Sequence, residues 1–253
     1  MLVDTHSHLN FNAFKDDANE AIRRSLDGGV FMINVGSQYS TSKRAVGMAE
    51  KYETGVYAAI GLHPIHIQDE HFDYEKYKEL ALSAVEGKVA AIGEIGLDYK
   101  SEYILFKEKQ KEALLRQLDL AKELSLPVIF HCRMAHQDLI QIIQQSNIST
   151  IRGVIHCFTG TWEDAQKYLE TGFYLGFNGI IFKLDLDEVI KKTPLEKILL
   201  ETDCPYLTPK PMTGRNEPSY IKYVAKKIAQ LKNLTFEKIA EITTQNAKKL
   251  FKI

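Results

Sequence analysis

The sequence predicts an α/β fold, a single (β/α)8 barrel with residues 1–253 as one domain. Three observations predict it. The 253 residues match the length of one such barrel, about 250. Eight short apolar runs alternate with longer amphipathic segments. No glycine-rich phosphate turn follows any run, as a doubly wound sheet would require. An open α/β sheet with the same element count is the competing architecture.

The runs cover residues 2–5, 30–35, 56–61, 89–95, 127–130, 153–156, 174–177 and 198–201. They are near-continuously hydrophobic and partly β-branched, as parallel strands covered on both faces must be. Between them, residues 103–124 place Phe106, Leu114, Leu118, Ala121 and Leu124 on one helical stripe. A helix over 162–171 starts after Thr161, a good N-cap, and stops at Gly172. Ile221, Val224, Ala225 and Ile228 mark the next-to-last helix; Phe236, Ile239, Thr243, Ala247 and Leu250 mark the last. Residues 205–218 hold four of the 7 prolines and read as a stiff loop after the eighth strand.

Composition narrows the function classes. With 45% apolar residues and 12 Phe and 12 Tyr, the chain has ample material for a core, so disorder is excluded. Lys and Arg number 32 against 33 Asp and Glu, which argues against wholesale basic wrapping of nucleic acid. The start MLVDTHSHLN carries Asp4 and no apolar run, unlike a secretory signal, and no stretch reaches the roughly 20 apolar residues of a membrane span. Three cysteines suit a reducing compartment. The expectation is a soluble cytoplasmic protein and a monomer.

Chemistry concentrates where barrel enzymes keep it, at the C-terminal ends of strands. His6 and His8 end the first strand, Glu94 the fourth, His131 the fifth, His156 the sixth and Asp203 the eighth. Residues i and i+2 of a strand share a side, so the imidazoles of His6 and His8 can converge on one ion. H-x-H alone is a weak signal; the other four residues give it weight. Glu94 lies in AAIGEIG, where an unpaired carboxylate would cost several kcal/mol, and a divalent cation would relieve it. One oxygen on each of two ions would make Glu94 a bridge.

Cys132, Cys157 and Cys204 each follow a proposed ligand directly, so alternation turns them toward the helix layer as apolar fillers. The donor set is then N/O only, which fits Zn, Mn, Fe, Ni or Mg. Asp4 is expected on the side of His6 and His8, either orienting a ligand histidine or plugging the barrel. His63 and His66, in GLHPIH, end the third strand; His63 is a candidate for substrate contact, with a plain turn residue as the alternative. His71 and His136 read as exposed helix starts.

DTHSHLN, GLHP, IGEIGLDY, PVIFHCR, HCFTG, LLETDCPYLTP, GRNEP and TTQNAKKLF follow in this order. The chain thereby resembles the TatD-related family of metal-dependent deoxyribonucleases from its first strand to its last helix. The resemblance implies a metal-dependent hydrolase barrel with two metal ions per chain. It implies that His6, His8 and Asp203 hold one ion, that His131 and His156 hold the other, and that Glu94 bridges them. It also implies phosphodiester hydrolysis of DNA, in some members 3′-to-5′ from an end. Met134 and Asn178 depart from the pattern, where an acid and a small hydroxyl residue are expected, and bear on the substrate rim.

Two ions can clamp attacking and leaving oxygens and acidify water. Asp203 and Glu94 are the catalytic candidates, with Asp203 as proton acceptor. Phosphate oxygens need cations: Arg133 and Arg215 are the substrate-binding candidates, Lys183 is another, and Lys210 reads as an ordinary solvated surface charge. Phe158, Trp162 and Tyr206 could stack a terminal base of DNA or a short nucleotide, with core or helix packing the favoured reading of each. The competing functions are an amidohydrolase or deaminase acting on a small cyclic amide or nucleobase, and a non-catalytic binding barrel.

Overall fold

A computed structural model describes residues 1–145 and 151–253. Among these residues eight parallel strands form one sheet in sequence order. They are β1 (Leu2–Ser7), β2 (Val30–Val35), β3 (Val56–Ile60), β4 (Val89–Asp98), β5 (Val128–Arg133), β6 (Gly153–Ile155), β7 (Tyr174–Phe177) and β8 (Ile198–Leu200). Helices alternate with them: α1 (Ala18–Asp27), α2 (Tyr39–Ala49), α3 (Tyr74–Ser83), α4 (Lys107–Glu123), α5 (His136–Gln145), α6 (Trp162–Glu170), α7 (Asp187–Lys192) and α8 (Ile221–Lys232). A further helix, α9 (Phe236–Phe251), ends the chain. This is the expected (β/α)8 barrel.

Local sequence sets the helix limits. The Thr161 hydroxyl accepts from the Asp164 amide, and Asp164 reaches back to the Thr161 amide, a capping box worth about 1 kcal/mol. Gly172, at φ 90°, takes the left-handed position past the end of α6 that other residues avoid. The stripe expected over 103–124 begins with a 3-10 turn, Ser101–Phe106, before α4 proper.

Two cores result. Val3, Ile33, Ala59, Ala91, Ile129, Val154 and Leu199 fill the barrel, joined by Leu250 and Phe251 of α9. Helix α9 lies at the strand starts, since the Thr244 hydroxyl bonds the Met1 carbonyl and the Asn246 amide bonds those of Leu195 and Ile198. The larger core lies between strands and helices.

The barrel closes where β1 meets the chain beyond β8. Asp203 N donates to His6 O at 2.8 Å, and His8 N donates to Cys204 O at 2.9 Å. The seam therefore carries three of the six expected ligands.

Of three register shifts in the sheet, two change the facing expected of polar residues near the site. In β1, Asp4 pairs with Met32 but Ser7 pairs with Asn34. In β4, Gly93 pairs with Ile129 and Ile95 with Phe130, which leaves Glu94 as the extra residue of a bulge. Bulges re-aim side chains at barrel rims. Glu94 is thus inside a ten-residue strand rather than at its end. Asp4 lies beside Met32, which packs in the strand–helix core, so it does not share the side of His6 and His8.

Candidate metal centre

The six side chains converge at the C-terminal mouth of the barrel. On the seam, His6 Nε2 and His8 Nε2 lie 3.1 Å apart, and Asp203 Oδ1 is 3.4 Å from His8 Nε2. His8 Nδ1 donates to the Val35 carbonyl at 2.8 Å, which leaves Nε2 with its lone pair facing the others. His6 Nδ1 has no partner among the described residues. The His6 ring stacks on His156 with centroids 3.5 Å apart.

Glu94 sits between the two groups. Its Oε2 is 3.4 Å from His6 Nε2; its Oε1 is 2.8 Å from His131 Nδ1 and 3.8 Å from His156 Nε2. Two acids that sequence reasoning missed stand behind the histidines. Asp98 Oδ2 is 3.0 Å from His131 Nε2. Glu201 Oε2 accepts from His156 Nδ1 at 2.8 Å and from the Cys157 amide at 3.0 Å. Each takes the rear N–H of its imidazole and leaves the other nitrogen toward Glu94. Room for Glu201 comes from Gly176, where an added Cβ would fall 2.0 Å from Glu201 Oε1. The only sequence signal for these acids was a carboxylate closing an apolar run, in IGLD and LLE.

Asp4 serves the backbone instead of an imidazole. Its Oδ1 accepts from Thr202 N at 2.8 Å and His6 N at 3.2 Å, and its Oδ2 bonds the Thr202 hydroxyl at 2.5 Å. It ties the His6 bulge to the segment that carries Asp203.

His63 Nε2 lies 3.4 Å from Glu94 Oε1, so His63 belongs to the cluster. Its Nδ1 accepts from Ile65 N at 3.1 Å, which places the ring proton on Nε2. It is a donor toward Glu94 and the space above it, a poor metal ligand in this tautomer.

The charge states follow from burial set against neighbours. Burial would raise the Glu94 carboxyl, but His63, His6 and the His131 bond outweigh it and hold it well below its usual range. Burial also opposes ionised Asp203; the neighbouring imidazoles of His8, His156 and His6 outweigh it and lower the carboxyl. His156 is lifted to about 10, because Glu201 overcomes the cost of burial. His63 drops to about 4, chiefly through burial. Asp4 rises to about 8 for the same reason.

Three non-glycine residues in the left-handed region mark the exits of ligand strands: Met134 (φ 54°), Cys157 (φ 44°) and Asp203 (φ 58°). Such conformations cost about 1–3 kcal/mol and cluster at functional sites.

The remaining candidates separate. Arg133 is half exposed at the rim, with Nη1 3.8 Å from Asp98 Oδ2. Arg215 is engaged elsewhere: it bonds both Asp17 oxygens at 2.8 and 2.5 Å, Glu217 at 3.2 Å and the Ala13 carbonyl at 2.7 Å, and lies 4.0 Å over the Phe14 ring. None of these partners belongs to the cluster. Cys132 and Cys204 are buried in the strand–helix core as expected. Cys157 is not, because β6 has ended and alternation no longer applies; its Sγ is 3.6 Å from Asn178 Oδ1. His136 begins α5 but is half-buried, with Nδ1 3.1 Å from the Tyr168 hydroxyl. His71 is exposed. Of the aromatic candidates, Phe158 is fully buried, Trp162 is half-buried, and Tyr206 is 55% exposed with its ring 6.4 Å from that of His8.

The donor set fits divalent cations. His6, His8 and Asp203 offer ligand atoms all within 4.8 Å of one another, as do Glu94 and His131 beside the donor His63, and His156 groups with His6 and Glu201. Nitrogen and carboxylate donors with fixed tautomers suit Zn or a similar ion.

The sequence profile described as TatD related DNase matches residues 3–252. The chain belongs to that family. It is 47% identical over 259 residues to the metal-dependent hydrolase YabD of Bacillus subtilis, spanning the whole of both chains. It is 32% identical over 264 residues to the 3'-5' ssDNA/RNA exonuclease TatD of Shigella flexneri, covering 100% of this chain and 99% of that one. The crystal structure of YJJV, a TatD homolog of Escherichia coli K12, superposes with a TM-score of 0.91 at 31% identity, covering 100% of this chain and 98% of the other. As a TatD-family member the chain is a metal-dependent hydrolase that acts on ester bonds. Among the described residues no helix is long and apolar enough to cross a membrane.

Proposed function

We propose that this TatD-family hydrolase cleaves phosphodiester bonds of DNA from single-stranded ends, in the 3′-to-5′ direction, with two divalent ions per chain. The observation that carries the reading is Glu94, whose two oxygens face separate nitrogen groups: Oε2 toward His6, and Oε1 toward His131 and His156. The similarity to the 3'-5' ssDNA/RNA exonuclease of Shigella flexneri supports the substrate class. His6, His8 and Asp203 would hold one ion, His131 and His156 the other, and Glu94 would bridge them.

Divalent ions held by these residues would supply Lewis acidity toward a phosphate and its attacking water. The chain does the rest. Asp203, kept ionised by its histidine neighbours, accepts the proton of the attacking water. Asp98 and Glu201 hold His131 and His156 in one tautomer. His63 Nε2–H donates toward Glu94 or a substrate oxygen. Arg133, exposed on the rim, meets a non-bridging phosphate oxygen. A small cyclic amide would not need that rim cation.

The test sets metal-replete protein against end-labelled single-stranded DNA, duplex DNA, RNA and a panel of cyclic amides. Release of nucleotides, fastest from single-stranded ends, is expected. Turnover of an amide with no nucleotide released would overturn the reading.

A further inference from the structure

The loop after β8 leads away from the centre into a second polar feature. Tyr206 stands exposed near His8, and Lys210, four residues on, lines a cleft of about 340 Å³. Phe182, from the turn after β7, forms another wall, and Tyr223, Lys226 and Lys227 of α8 form the far side. The two loops are in close contact: a Cβ added at Gly179 would fall 1.7 Å from the Leu207 carbonyl oxygen. Loops that follow β7 and β8 thus form one wall of the cleft and α8 the other.

Its charge is one-sided. Helix α8 carries Lys222, Lys226, Lys227 and Lys232 and not one acid, in a chain with 33 acidic residues. Asp187 is the one acid lining the cleft, and it pairs with Lys227 at 3.4 Å. Lys210, Lys222 and Lys226 are exposed and make no ion pair among the described residues. Lys222 and Lys226 stand one turn apart, a like-charge spacing that destabilises a helix. Both lie over the ring of Tyr223, at 5.4 and 5.8 Å from its centroid. Tyr220 adds a second ring, 6.3 Å from that of Tyr223.

The cleft sets the Tyr223 ring beside Lys210 and Lys226, with Lys222 and Tyr220 adjoining Tyr223 outside it, and rings among cations without ion pairs are the means by which proteins hold single strands without reading sequence. An acidic peptide would use the lysines but give the rings nothing to stack on. The volume is that of a small-ligand site, too small for a duplex.

We infer that this cleft is a secondary binding track for the single-stranded body of a nucleic-acid substrate, beyond the terminal nucleotides held at the metal centre. The lysines take phosphates and Tyr223 stacks one base. The inference rests on the nuclease reading above and extends it: affinity should grow with strand length.

The experiment compares KM and kcat for a trinucleotide and for an oligothymidylate of about 20 residues, using metal-replete wild type, the triple variant K210A/K222A/K226A and Tyr223→Leu. Wild type should show a lower KM on the long strand. The triple variant should lose that advantage and flatten the slope of log KM against log salt by about 2, at about 0.7 for each phosphate contact removed. Tyr223→Leu, which keeps the packing, should raise the long-strand KM about fivefold or more. In both variants kcat, melting temperature and trinucleotide KM should stay at wild-type values. A wild type that cuts both lengths with equal KM, or a triple variant with the long-strand KM and salt slope intact, overturns the track and leaves the nuclease reading standing. Failure of wild type to cut either strand overturns both.

Discussion

The two halves of the centre are aimed by different means. On the β1–β8 side, the backbone does most of the aiming. His8 is oriented by the Val35 carbonyl, His6 and Asp203 are joined by main-chain bonds across the seam, and Asp4 ties the strand ends. On the β4–β6 side, side-chain acids do it: Asp98 behind His131 and Glu201 behind His156. Strands β4 and β5 are paired from Ile92 to Asp98, so His131 needs only rotational control, and His156 follows the short β6, which three residue pairs hold beside β5. The seam has far fewer ladder bonds, so its geometry and its stability are one problem. Loss of the polar ties that close the seam should therefore reach the fold, and damage behind the β4–β6 histidines should reach only the chemistry.

The largest effect should come from Asp203→Asn. Asn keeps the size and a coordinating oxygen but cannot take a proton. The kcat should fall by roughly 10²–10⁴ while the fold and most of the metal remain. A near wild-type rate with metal bound would move the base to the other half, to Glu94.

Asp98→Asn and Glu201→Gln probe the acid-aimed half. Each should lower metal affinity or activity by about 10–100-fold, with little change in melting temperature. Metal content by elemental analysis and a thermal melt separate the two readouts. A large loss of stability would show that these acids hold the fold as Asp4 does.

Asp4→Ala probes the seam. It strands the Thr202 and His6 amides and the Thr202 hydroxyl, at about 1–3 kcal/mol for each donor left bare. Melting temperature and metal content should fall together. Asp4→Asn keeps an acceptor for the amides and a partner for the hydroxyl, so it should lie close to wild type.

The smallest effect is assigned to Arg215→Ala. Proximity to Asp203 along the chain made Arg215 a phosphate ligand on paper, yet its partner Asp17 is 198 residues away in sequence, beyond the reach of any local pattern. The loss should be about 0.5–1 kcal/mol, since the pair is partly exposed and screened by solvent. KM on DNA should stay unchanged. Arg215 holds the Asp17 carboxyl below its usual value. The pair's contribution is therefore present above the ordinary carboxylate pKa, about 3.9, and fades as pH falls through the lower folded value. A KM rise at constant stability would return Arg215 to the substrate.

Much of this was legible in the sequence, for a physical reason. Parallel strands buried on both faces must be apolar throughout, so all eight runs stand out, and a polar residue at the end of such a run is conspicuous. That is how His131 and His156 were read. What stayed hidden depends on neighbours distant in sequence. The β1 and β4 bulges are properties of pairing with β2 and β5, and they reversed the facing expected of Asp4 and moved Glu94 inside its strand. Asp98 and Glu201 matter only through the rings they meet across the barrel. Alternation placed Cys132 correctly because β5 continues through it, and misplaced Cys157 because β6 stops at Ile155.

The central claim is that one mouth of this barrel is a hydrolytic centre run by divalent ions. The direct measurement is to strip the protein with chelator and return a single divalent metal stepwise. Bound metal and hydrolysis of end-labelled single-stranded DNA are followed in the same samples. No turnover is expected after stripping, with recovery that saturates near two ions per chain. Turnover that survives complete removal of metal would contradict it.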